Sequence, residues 1–93
     1  MREIDILKQL QHQNIIRLFE VIDDQNDDKL YLVLEYANKG QIMDYDLREK
    51  KFKPNADGRP YYSEREVQCF ARDLINALDC IHKHRVLHCD IKP

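Results

Sequence analysis

The chain has 93 residues, 43% of them hydrophobic, and its 15 Lys and Arg nearly balance its 17 Asp and Glu, giving a net charge of -2. This balance gives no electrostatic case for nucleic acid or an anionic membrane as a partner, and no run approaches the ~20 apolar residues of a membrane-spanning helix. Three cysteines form no Cys-x-x-Cys pair and their odd number does not suit a disulfide framework, so we expect a soluble, cytoplasmic chain with reduced thiols.

The first predicted element is a helix over residues 1–11. Glu3, Ile6, Leu7 and Leu10 follow the spacing i, i+3, i+4, i+7, which places an acid on the helix face that carries the apolar residues. Such an acid either needs a cationic partner or is favoured by the helix dipole in the first turn. Both interpretations of Glu3 stay open on the residues alone.

A β-hairpin is predicted next. Residues 15–22 and 30–36 are rich in Ile, Leu, Val, Tyr and Phe, and the turn-forming, acidic residues 23–28 separate them. Within the second run, leucines alternate with other side chains, so we expect one face of the hairpin to be fully buried and the other partly buried. The alternating leucines are Leu30, Leu32 and Leu34.

Residues 38–62 are predicted to leave the sheet. An Asn-Lys-Gly sequence at residues 38–40 breaks the strand, and a short amphipathic stretch follows at residues 41–47. Residues 48–62 are basic and carry two prolines and an Asp-Gly pair, which are turn signals. We therefore predict a surface loop over residues 48–62.

A long helix is predicted to begin after Ser63. The sequence Ser-Glu-Arg-Glu at residues 63–66 is a capping box, because the Ser63 hydroxyl can accept from the Glu66 amide while the Glu66 side chain reaches back. Apolar residues then recur at helical spacing for ~20 residues, a length of ~30 Å, up to a basic end at residues 83–85. They are Val67, Phe70, Ala71, Leu74, Leu78 and Ile81.

The last residues read Val86-Leu87-His88-Cys89-Asp90-Ile91-Lys92-Pro93. This run, placed after an amphipathic helix, resembles the protein kinase catalytic loop, His-Arg-Asp-Leu-x-x-x-Asn, with the Arg replaced by Cys89. Residues 3–16 resemble the second half of kinase helix C and the turn after it, and residues 30–36 resemble strand 5 and the hinge. The ordered set covers nearly all of the chain and indicates a eukaryotic Ser/Thr protein kinase domain.

The resemblance implies an α+β fold class: a partial protein-kinase fold with helix C, an antiparallel β-hairpin, the hinge, the long helix E and the start of the catalytic loop. Residues 1–36 would belong to the N-lobe, and residues 37–93 to the hinge and the start of the C-lobe. The acidic hairpin turn, the hinge exit at residues 38–43 and the Ser-Glu helix start look like the calcium/calmodulin-dependent protein kinase kinases. That likeness implies calmodulin as a partner through regions outside this chain.

Two residues of the last run have catalytic roles by resemblance. Asp90 would be the base that accepts the proton of the substrate hydroxyl, and Lys92 would be a cation near the transferred phosphate. The pattern implies transfer of the ATP γ-phosphoryl group, with Mg²⁺ as cofactor, to a Ser or Thr of a protein substrate. On the residues alone, a surface acid and an exposed lysine remain the alternatives.

The resemblance also implies nucleotide contacts. Glu3 would pair with the strand-3 lysine that anchors the ATP phosphates, a lysine absent from these 93 residues. Leu34 would be the gatekeeper, and the Glu35 carbonyl and the Ala37 amide would face adenine. Gln41 stands where many members of the family carry an acid that holds the ribose or a basic substrate residue, which leaves the substrate's charge preference open.

Cys89 is the departure from the family pattern with the clearest consequence. The Arg usual at this position pairs with a phosphorylated activation-loop residue through charge-assisted hydrogen bonds, which a thiol cannot make. Cys89 therefore predicts a kinase that does not need activation-loop phosphorylation. The alternative is a small buried residue in a decaying kinase.

Several kinase parts are missing from the 93 residues: the Gly-rich phosphate loop, the catalytic-loop Asn and the Asp-Phe-Gly segment. We therefore expect an internal piece of a kinase domain, inactive by itself. One alternative is a truncated, non-catalytic interaction piece or a pseudokinase piece.

A weaker alternative is a calcium-binding hairpin. Asp24, Asn26, Asp28 and Glu35 fall at ligand positions of the EF-hand pattern, but Lys29 stands where its sharp turn needs glycine. The cysteines and histidines match no closed zinc ligand set, and no metal ligands are predicted.

Overall fold

The computed structural model describes residues 2–55 and 58–93, and it leaves the side chains of Arg2 and Glu3 undescribed. In chain order the elements are α1 (Arg2–Gln9), β1 (Leu18–Asp24), β2 (Lys29–Leu34), β3 (Met43–Asp46), β4 (Lys51–Pro54) and α2 (Glu64–Lys83). β1 pairs with β2 and β3 pairs with β4, so the described strands form two separate antiparallel sheets. This mixture of helices and hairpins confirms the α+β class.

The first hairpin forms where the sequence predicts it, with a turn built by acidic residues. The Asp24 carboxylate accepts a hydrogen bond from the Asn26 amide at 3.0 Å, and the Asp24 carbonyl accepts one from the Asp27 amide at 3.2 Å. Asp28 has a φ of 47°, in the left-handed region. Because Asp and Asn bond to nearby backbone amides and tolerate that region, the acidic segment closes the hairpin.

The prediction that one face of this hairpin is fully buried is wrong. Every residue of β2 is exposed, and Leu18 is the buried residue of β1. Among the described elements, β2 contacts only β1, so its apolar side chains have no covering helix or second sheet. The alternation of leucines identifies a face suited to packing, but it carries no information on which element packs there.

Residues 43–54 form a second hairpin, so the predicted surface loop is wrong over residues 51–54, which form β4, and the predicted amphipathic stretch contains β3. Asp44 pairs with Lys53 and Asp46 pairs with Lys51 across the strands. Between them, the rings of Tyr45 and Phe52 meet edge to face with centroids 5.2 Å apart. Opposite charges and aromatic pairs directly across two strands stabilise a hairpin, and here they occur at three successive positions.

The turn of the second hairpin is held by Asp46. Its carboxylate accepts hydrogen bonds from the amides of Arg48 at 2.8 Å and Glu49 at 3.2 Å. The Lys53 ammonium lies 3.1 Å from Asp46 and 2.9 Å from the Glu49 carboxylate. The Glu49 amide, followed by the Lys53 ammonium, lowers the pKa of the Asp46 carboxyl.

The long helix is confirmed with its predicted cap. α2 has 20 residues and Ser63 is its N-cap. The Ser63 hydroxyl accepts from the Glu66 amide at 3.2 Å, and the Ser63 amide donates to the Glu66 carboxylate at 3.0 Å. At the other end Arg85 takes a left-handed φ of 61°, which turns the chain away from the helix axis.

The hydrophobic core of the described residues is small. Three hydrophobic residues are buried, Leu10, Leu18 and Ile81, with 2%, 5% and 8% of their surface exposed. The radius of gyration is 16.5 Å, whereas a compact chain of this length would have one of about 12 Å. A hydrogen bond of 3.2 Å from the Asn14 side chain to the Asp73 carbonyl ties α2 to the segment before β1. The elements are therefore held mainly by local hydrogen bonds.

We predict that these 93 residues alone unfold without a single cooperative transition, because so small a core cannot couple two hairpins and a helix. In a urea titration, far-UV circular dichroism follows α2, while tyrosine fluorescence of a variant with Tyr36, Tyr61 and Tyr62 replaced by Phe follows the hairpins through Tyr31 and Tyr45. The two signals should change gradually and at different urea concentrations. Coincident sigmoidal transitions would contradict this prediction and indicate an independently folding domain.

Candidate functional site

The segment that follows α2 holds the two predicted catalytic residues close together. The Asp90 carboxylate lies 3.3 Å from the Lys92 ammonium, and both side chains are largely exposed, at 72% and 73%. The Asp90 amide donates a hydrogen bond of 3.0 Å to Nδ1 of His88. Because that nitrogen accepts, the neutral His88 ring carries its proton on Nε2. Between them Cys89 is exposed and has a left-handed φ of 65°.

This loop presents a proton acceptor and a cation to solvent at one point. A carboxylate can take a proton from a hydroxyl, and an ammonium can bind a phosphate oxygen. An exposed ion pair of this kind contributes only ~0–1 kcal/mol, so a stronger anion can displace Asp90 from Lys92 at little cost.

The chain leaves β2 through Leu34, Glu35 and Ala37. Leu34 pairs with Leu18 in the sheet and is exposed. The Glu35 amide donates to the Arg17 carbonyl at 2.9 Å, but the Arg17 amide donates to the Glu35 side chain, at 3.2 Å, rather than to its carbonyl. An antiparallel pair normally exchanges both backbone hydrogen bonds, and here the carboxylate takes one of them.

The consequence is a free backbone edge just beyond β2. Within residues 2–55 and 58–93, no group donates a hydrogen bond to the Glu35 carbonyl, and the Ala37 amide has no acceptor. One backbone acceptor and one backbone donor, two residues apart, are therefore available to a planar ligand that carries the complementary groups.

Residues 39–42 are held by hydrogen bonds from residues farther along the chain. The Asn55 side-chain amide donates to the carbonyls of Lys39 and Gln41, each at 3.1 Å. The carbonyl of Ile42 accepts from the Asn55 amide at 2.9 Å and also from the Tyr62 hydroxyl. Gly40, with a left-handed φ of 67°, closes the preceding turn by donating to the Ala37 carbonyl at 3.1 Å.

The start of α2 is anchored by a network around Glu66. Arg59 binds the Glu66 carboxylate with two hydrogen bonds, of 2.7 and 2.8 Å, in addition to the capping bond from Ser63. Phe70 lies one helical turn after Glu66, and its ring meets that of Tyr62, which precedes the helix, edge to face with centroids 5.0 Å apart. The Arg59 side chain, followed by the Ser63 amide and hydroxyl, lowers the pKa of Glu66 to about 2.

A groove of about 500 Å³ lies between residues 39–42 and the start of α2. Its walls include Gln41, Asn55, Tyr62 and Phe70, so amide groups and aromatic rings line the same space. The predicted ribose-contacting residue is therefore at the edge of a real depression rather than on a flat surface.

The structure thus brings the predicted residues together in two groups. Asp90 and Lys92 form one pair, and Leu34, Glu35, Ala37 and Gln41 follow one another along the exit from β2. No hydrogen bond or ion pair among the described residues joins residues 37–42 to residues 86–93. The backbone of Glu3 lies in α1, but its predicted ion pair falls on a side chain outside the described part.

The acids of the first hairpin do not converge on a cation. Asp24 and Glu35 each accept from a backbone amide, and Asp27 lies 3.5 Å from Lys29. In the part of the chain that the structure describes, no group of three or more His, Cys, Asp or Glu side chains could hold a metal ion. Nor does any described helix have the length and apolarity to cross a membrane.

A helix, a β-hairpin, a connecting segment with a free backbone edge and a capped helix leading to an Asp-x-Lys loop together form a partial protein kinase fold. The chain belongs to the protein kinase domain family, which matches residues 1–93. The earlier resemblance is thereby confirmed over the whole chain.

Curated relatives are Ser/Thr kinases at similar levels of identity. The chain is 36% identical over 93 residues to a probable serine/threonine-protein kinase MARK-C of Dictyostelium discoideum, covering 99% of this chain and 11% of the relative. It is 38% identical over 92 residues to a probable myosin light chain kinase of the same organism, covering 99% and 20%.

A calcium/calmodulin-dependent protein kinase kinase of Caenorhabditis elegans is 37% identical over 92 residues, covering 99% of this chain and 15% of the relative. The likeness to that group is therefore real, but it is no stronger than the likeness to other Ser/Thr kinases. The chain spans between a tenth and a quarter of the length of these relatives. No solved structure matches it at a significant level.

Sequence reasoning missed the side chains that hold residues 39–42. Asn55 and Tyr62 both fall in the predicted surface loop over residues 48–62, and the sequence pattern assigns a role to neither. Two signals in the sequence could have found them: the Asp-x-Asp and Lys-x-Lys alternation at residues 44–46 and 51–53, and an Asn directly after Pro54. Together these predict a hairpin that brings Asn55 back beside the residues preceding β3.

We predict that Glu66 titrates at about pH 2 in the folded chain rather than near its ordinary pKa of 4.5. Its contribution to the start of α2 is then complete above pH 4.5 and is lost as the pH falls toward 2, because the ionised form is the one that binds Arg59 and Ser63. A ¹³C NMR titration of the glutamate carboxyl groups measures this pKa directly.

Replacing Arg59 by Gln should raise the pKa of Glu66 toward 4.5, because it removes the largest cause of the shift. The matched control is Arg65→Gln, one residue from Glu66, which should leave the pKa unchanged. An equal Glu66 pKa in the wild type and in Arg59→Gln would contradict the assignment.

Proposed function

We propose that the protein containing this chain transfers the γ-phosphoryl group of ATP to a Ser or Thr hydroxyl of a protein substrate. The observation that carries the proposal is the Asp90 carboxylate held 3.3 Å from the Lys92 ammonium at the end of the segment after α2. Membership of the protein kinase family and the Ser/Thr kinases among its relatives support the reaction class.

In this proposal Asp90 accepts the hydroxyl proton as the substrate oxygen attacks the γ-phosphorus, and the bond from that phosphorus to the β–γ bridging oxygen breaks to release ADP. The hydrogen bond from the Asp90 amide to His88 fixes the backbone at the base, and the exposed carboxylate is open to a substrate side chain. A positioned general base contributes typically ~10²–10⁴-fold to the rate.

Lys92 neutralises charge on the transferred phosphoryl group. Its ammonium is close enough to Asp90 to be near the attacking hydroxyl, and the pair is weak because it is exposed. When a phosphate oxygen replaces the carboxylate as its partner, Lys92 keeps a charge-assisted contact, and Asp90 is released to act as base.

ATP supplies the phosphoryl group, and residues of this chain suit its base. The Glu35 carbonyl and the Ala37 amide, which lack partners among the described residues, complement the amino group and a ring nitrogen of adenine. Leu34 precedes them as the proposed gatekeeper, and Gln41 lines the groove where the ribose would lie. Glu3 is the proposed partner of a lysine outside these residues.

The residues present do not by themselves fit magnesium. Protein kinases in general bind Mg²⁺ through a catalytic-loop Asn and the Asp of Asp-Phe-Gly, and neither is among the 93 residues. We therefore assign no step of the chemistry to a metal held by this chain.

We further propose that residues 1–36 belong to the N-lobe and residues 37–93 to the hinge and C-lobe. The separation of the strands into two sheets, with residues 37–42 between them, supports a boundary at this point. Calmodulin binding through other regions rests only on the likeness to the kinase kinase of Caenorhabditis elegans.

The alternative of a non-catalytic interaction piece has one observation in its favour. β2 exposes its leucines on a hairpin with no covering element among the described ones, and such apolar surfaces bind other proteins. Phosphoryl transfer that depends on Asp90 would exclude this alternative for the whole protein.

In the complete protein, we predict that Asp90→Asn lowers kcat for peptide phosphorylation by about 10²–10⁴-fold, because the base is lost. Lys92→Met should also lower kcat, because the transferred charge loses its cation. The measurement is initial-rate transfer of ³²P from ATP to a Ser/Thr peptide mixture.

The matched control is the exposed ion pair of Asp79 and Lys83 on α2, with 3.0 Å between its charged atoms. Asp79→Asn and Lys83→Met change the same residue types and should leave the rate within about twofold, since such surface pairs contribute little. Equal rates for Asp90→Asn and Asp79→Asn would overturn the assigned base.

We predict that phosphatase treatment leaves most of the complete protein's activity intact. Cys89 stands where the family carries the Arg that binds a phosphorylated activation-loop residue, and a thiol offers no charge for such a pair. Cys89 is exposed, which argues against the alternative of a small buried residue. A large loss of activity after dephosphorylation, verified by mass spectrometry, would refute the prediction.

A further inference from the structure

The segment between Ala37 and β3 obtains few hydrogen bonds from its own neighbours in sequence. Its local bond runs from the Gly40 amide to the Ala37 carbonyl, and the carbonyls of Lys39, Gln41 and Ile42 all accept from residues beyond β4. The conformation of this segment is therefore set by residues farther along the chain, Asn55 and Tyr62.

Asn55 makes most of these contacts. Its side-chain nitrogen donates to two carbonyls, at positions 39 and 41, and its backbone amide donates to a third, at position 42. The same nitrogen is 3.7 Å from where a Cβ on Gly40 would lie, so Asn55 packs against the glycine as well as bonding on either side of it. One residue thus restrains four consecutive ones.

The second hairpin places Asn55 there. Pro54 is the last residue of β4 and pairs with Met43, the first residue of β3. Asn55 follows Pro54, and it therefore lies beside residues 39–42, which precede Met43. The cross-strand pairs that hold β3 to β4 consequently also hold Asn55 against residues 39–42. Tyr62 adds its hydroxyl to the carbonyl of Ile42 and packs its ring on Phe70 of α2.

We propose that Asn55 is a positioning residue for nucleotide binding, acting by fixing residues 39–42, and with them Gln41 and the adjoining Ala37 amide. This inference rests on the proposed function, since it concerns the same nucleotide site. Asn55 itself touches no reacting atom, so its loss should weaken nucleotide binding and leave the chemical step unchanged.

The test uses the full-length protein and two substitutions. Asn55→Asp keeps the shape and the backbone amide but removes the side-chain donor, and Tyr62→Phe removes one hydroxyl while keeping the ring on Phe70. Loss of one or two neutral hydrogen bonds should raise the Kd for a fluorescent ADP analogue and the KM for ATP by about three- to tenfold, with kcat within about twofold. The matched control, Asn26→Asp in the first hairpin turn, should change none of these constants.

Amide hydrogen exchange supplies a readout independent of catalysis. In Asn55→Asp the amide of Gly40 should exchange faster, because the turn that it closes loses its support, whereas amides in α2 should keep their rates. This comparison also identifies a variant that has lost its fold, since then all of these amides would exchange faster. In that case the result for Tyr62→Phe decides the proposal.

The outcomes separate the inference from the proposed function. A raised Kd with unchanged kcat in Asn55→Asp supports the positioning role. A Kd equal to that of the wild type in both variants overturns that role and leaves the kinase assignment standing. Absence of nucleotide binding by the wild-type protein overturns the proposed function, and the inference with it.

Discussion

The carboxylate of Glu66 fixes where the long helix begins, and the placement of the residues after the helix depends on that start. It accepts hydrogen bonds from the Ser63 amide and from both terminal nitrogens of Arg59. Its two oxygens therefore bind both the N-cap residue and the loop that precedes the helix. α2 then runs 20 residues, about 30 Å, to the turn before His88. A shift of the start by one residue would rotate everything after the helix by about 100°, which follows from 3.6 residues per turn.

Polar contacts carry an unusual share of the organisation, because so few apolar side chains are buried. Asn55, at the end of the second hairpin, donates hydrogen bonds to the segment that follows β2. The rings of Tyr62 and Phe70 pack together on the α2 side of the groove beside that segment. These contacts link the strand region to the helix without a shared hydrophobic core. Each of these contacts contributes only ~1 kcal/mol to the free energy of unfolding. Together they set the relative positions of these segments more than they stabilise the fold.

Much of the fold could be predicted from short-range chemistry. The capping box at Ser63 and the acidic turn at residues 23–28 are local patterns whose partners lie within a few residues, and both form as expected. The proximity of Asp90 and Lys92 is likewise local. The long-range features were not predictable in this way: the exposure of β2 depends on what surrounds it, and Asn55 acts on carbonyls 14 and 16 residues earlier in the chain.

The predictability of the second hairpin is intermediate between that of these local and long-range features. Its strands have 4 residues each, Met-Asp-Tyr-Asp and Lys-Phe-Lys-Pro, and in both of them charged residues alternate with apolar or aromatic ones. This period-2 signal is short, at only 4 residues in each strand, and the cross-strand complementarity of Asp44 with Lys53 and of Asp46 with Lys51 strengthens it. Reading charge pairs in register would have found the hairpin and, through it, the residue that follows β4.

The exposed strand β2 has a consequence for how the chain behaves in a crowded solution. Residues 30–34 are Leu-Tyr-Leu-Val-Leu, without charge or proline, and such short segments stack into intermolecular sheets when an edge is open. Lys29 and Glu35 flank the run and act as charged gatekeepers against that association. The Glu35 carboxylate accepts a hydrogen bond from the Arg17 amide, which leaves the Glu35 carbonyl without that donor. The same side chain therefore places a negative charge at one end of the apolar segment 30–34.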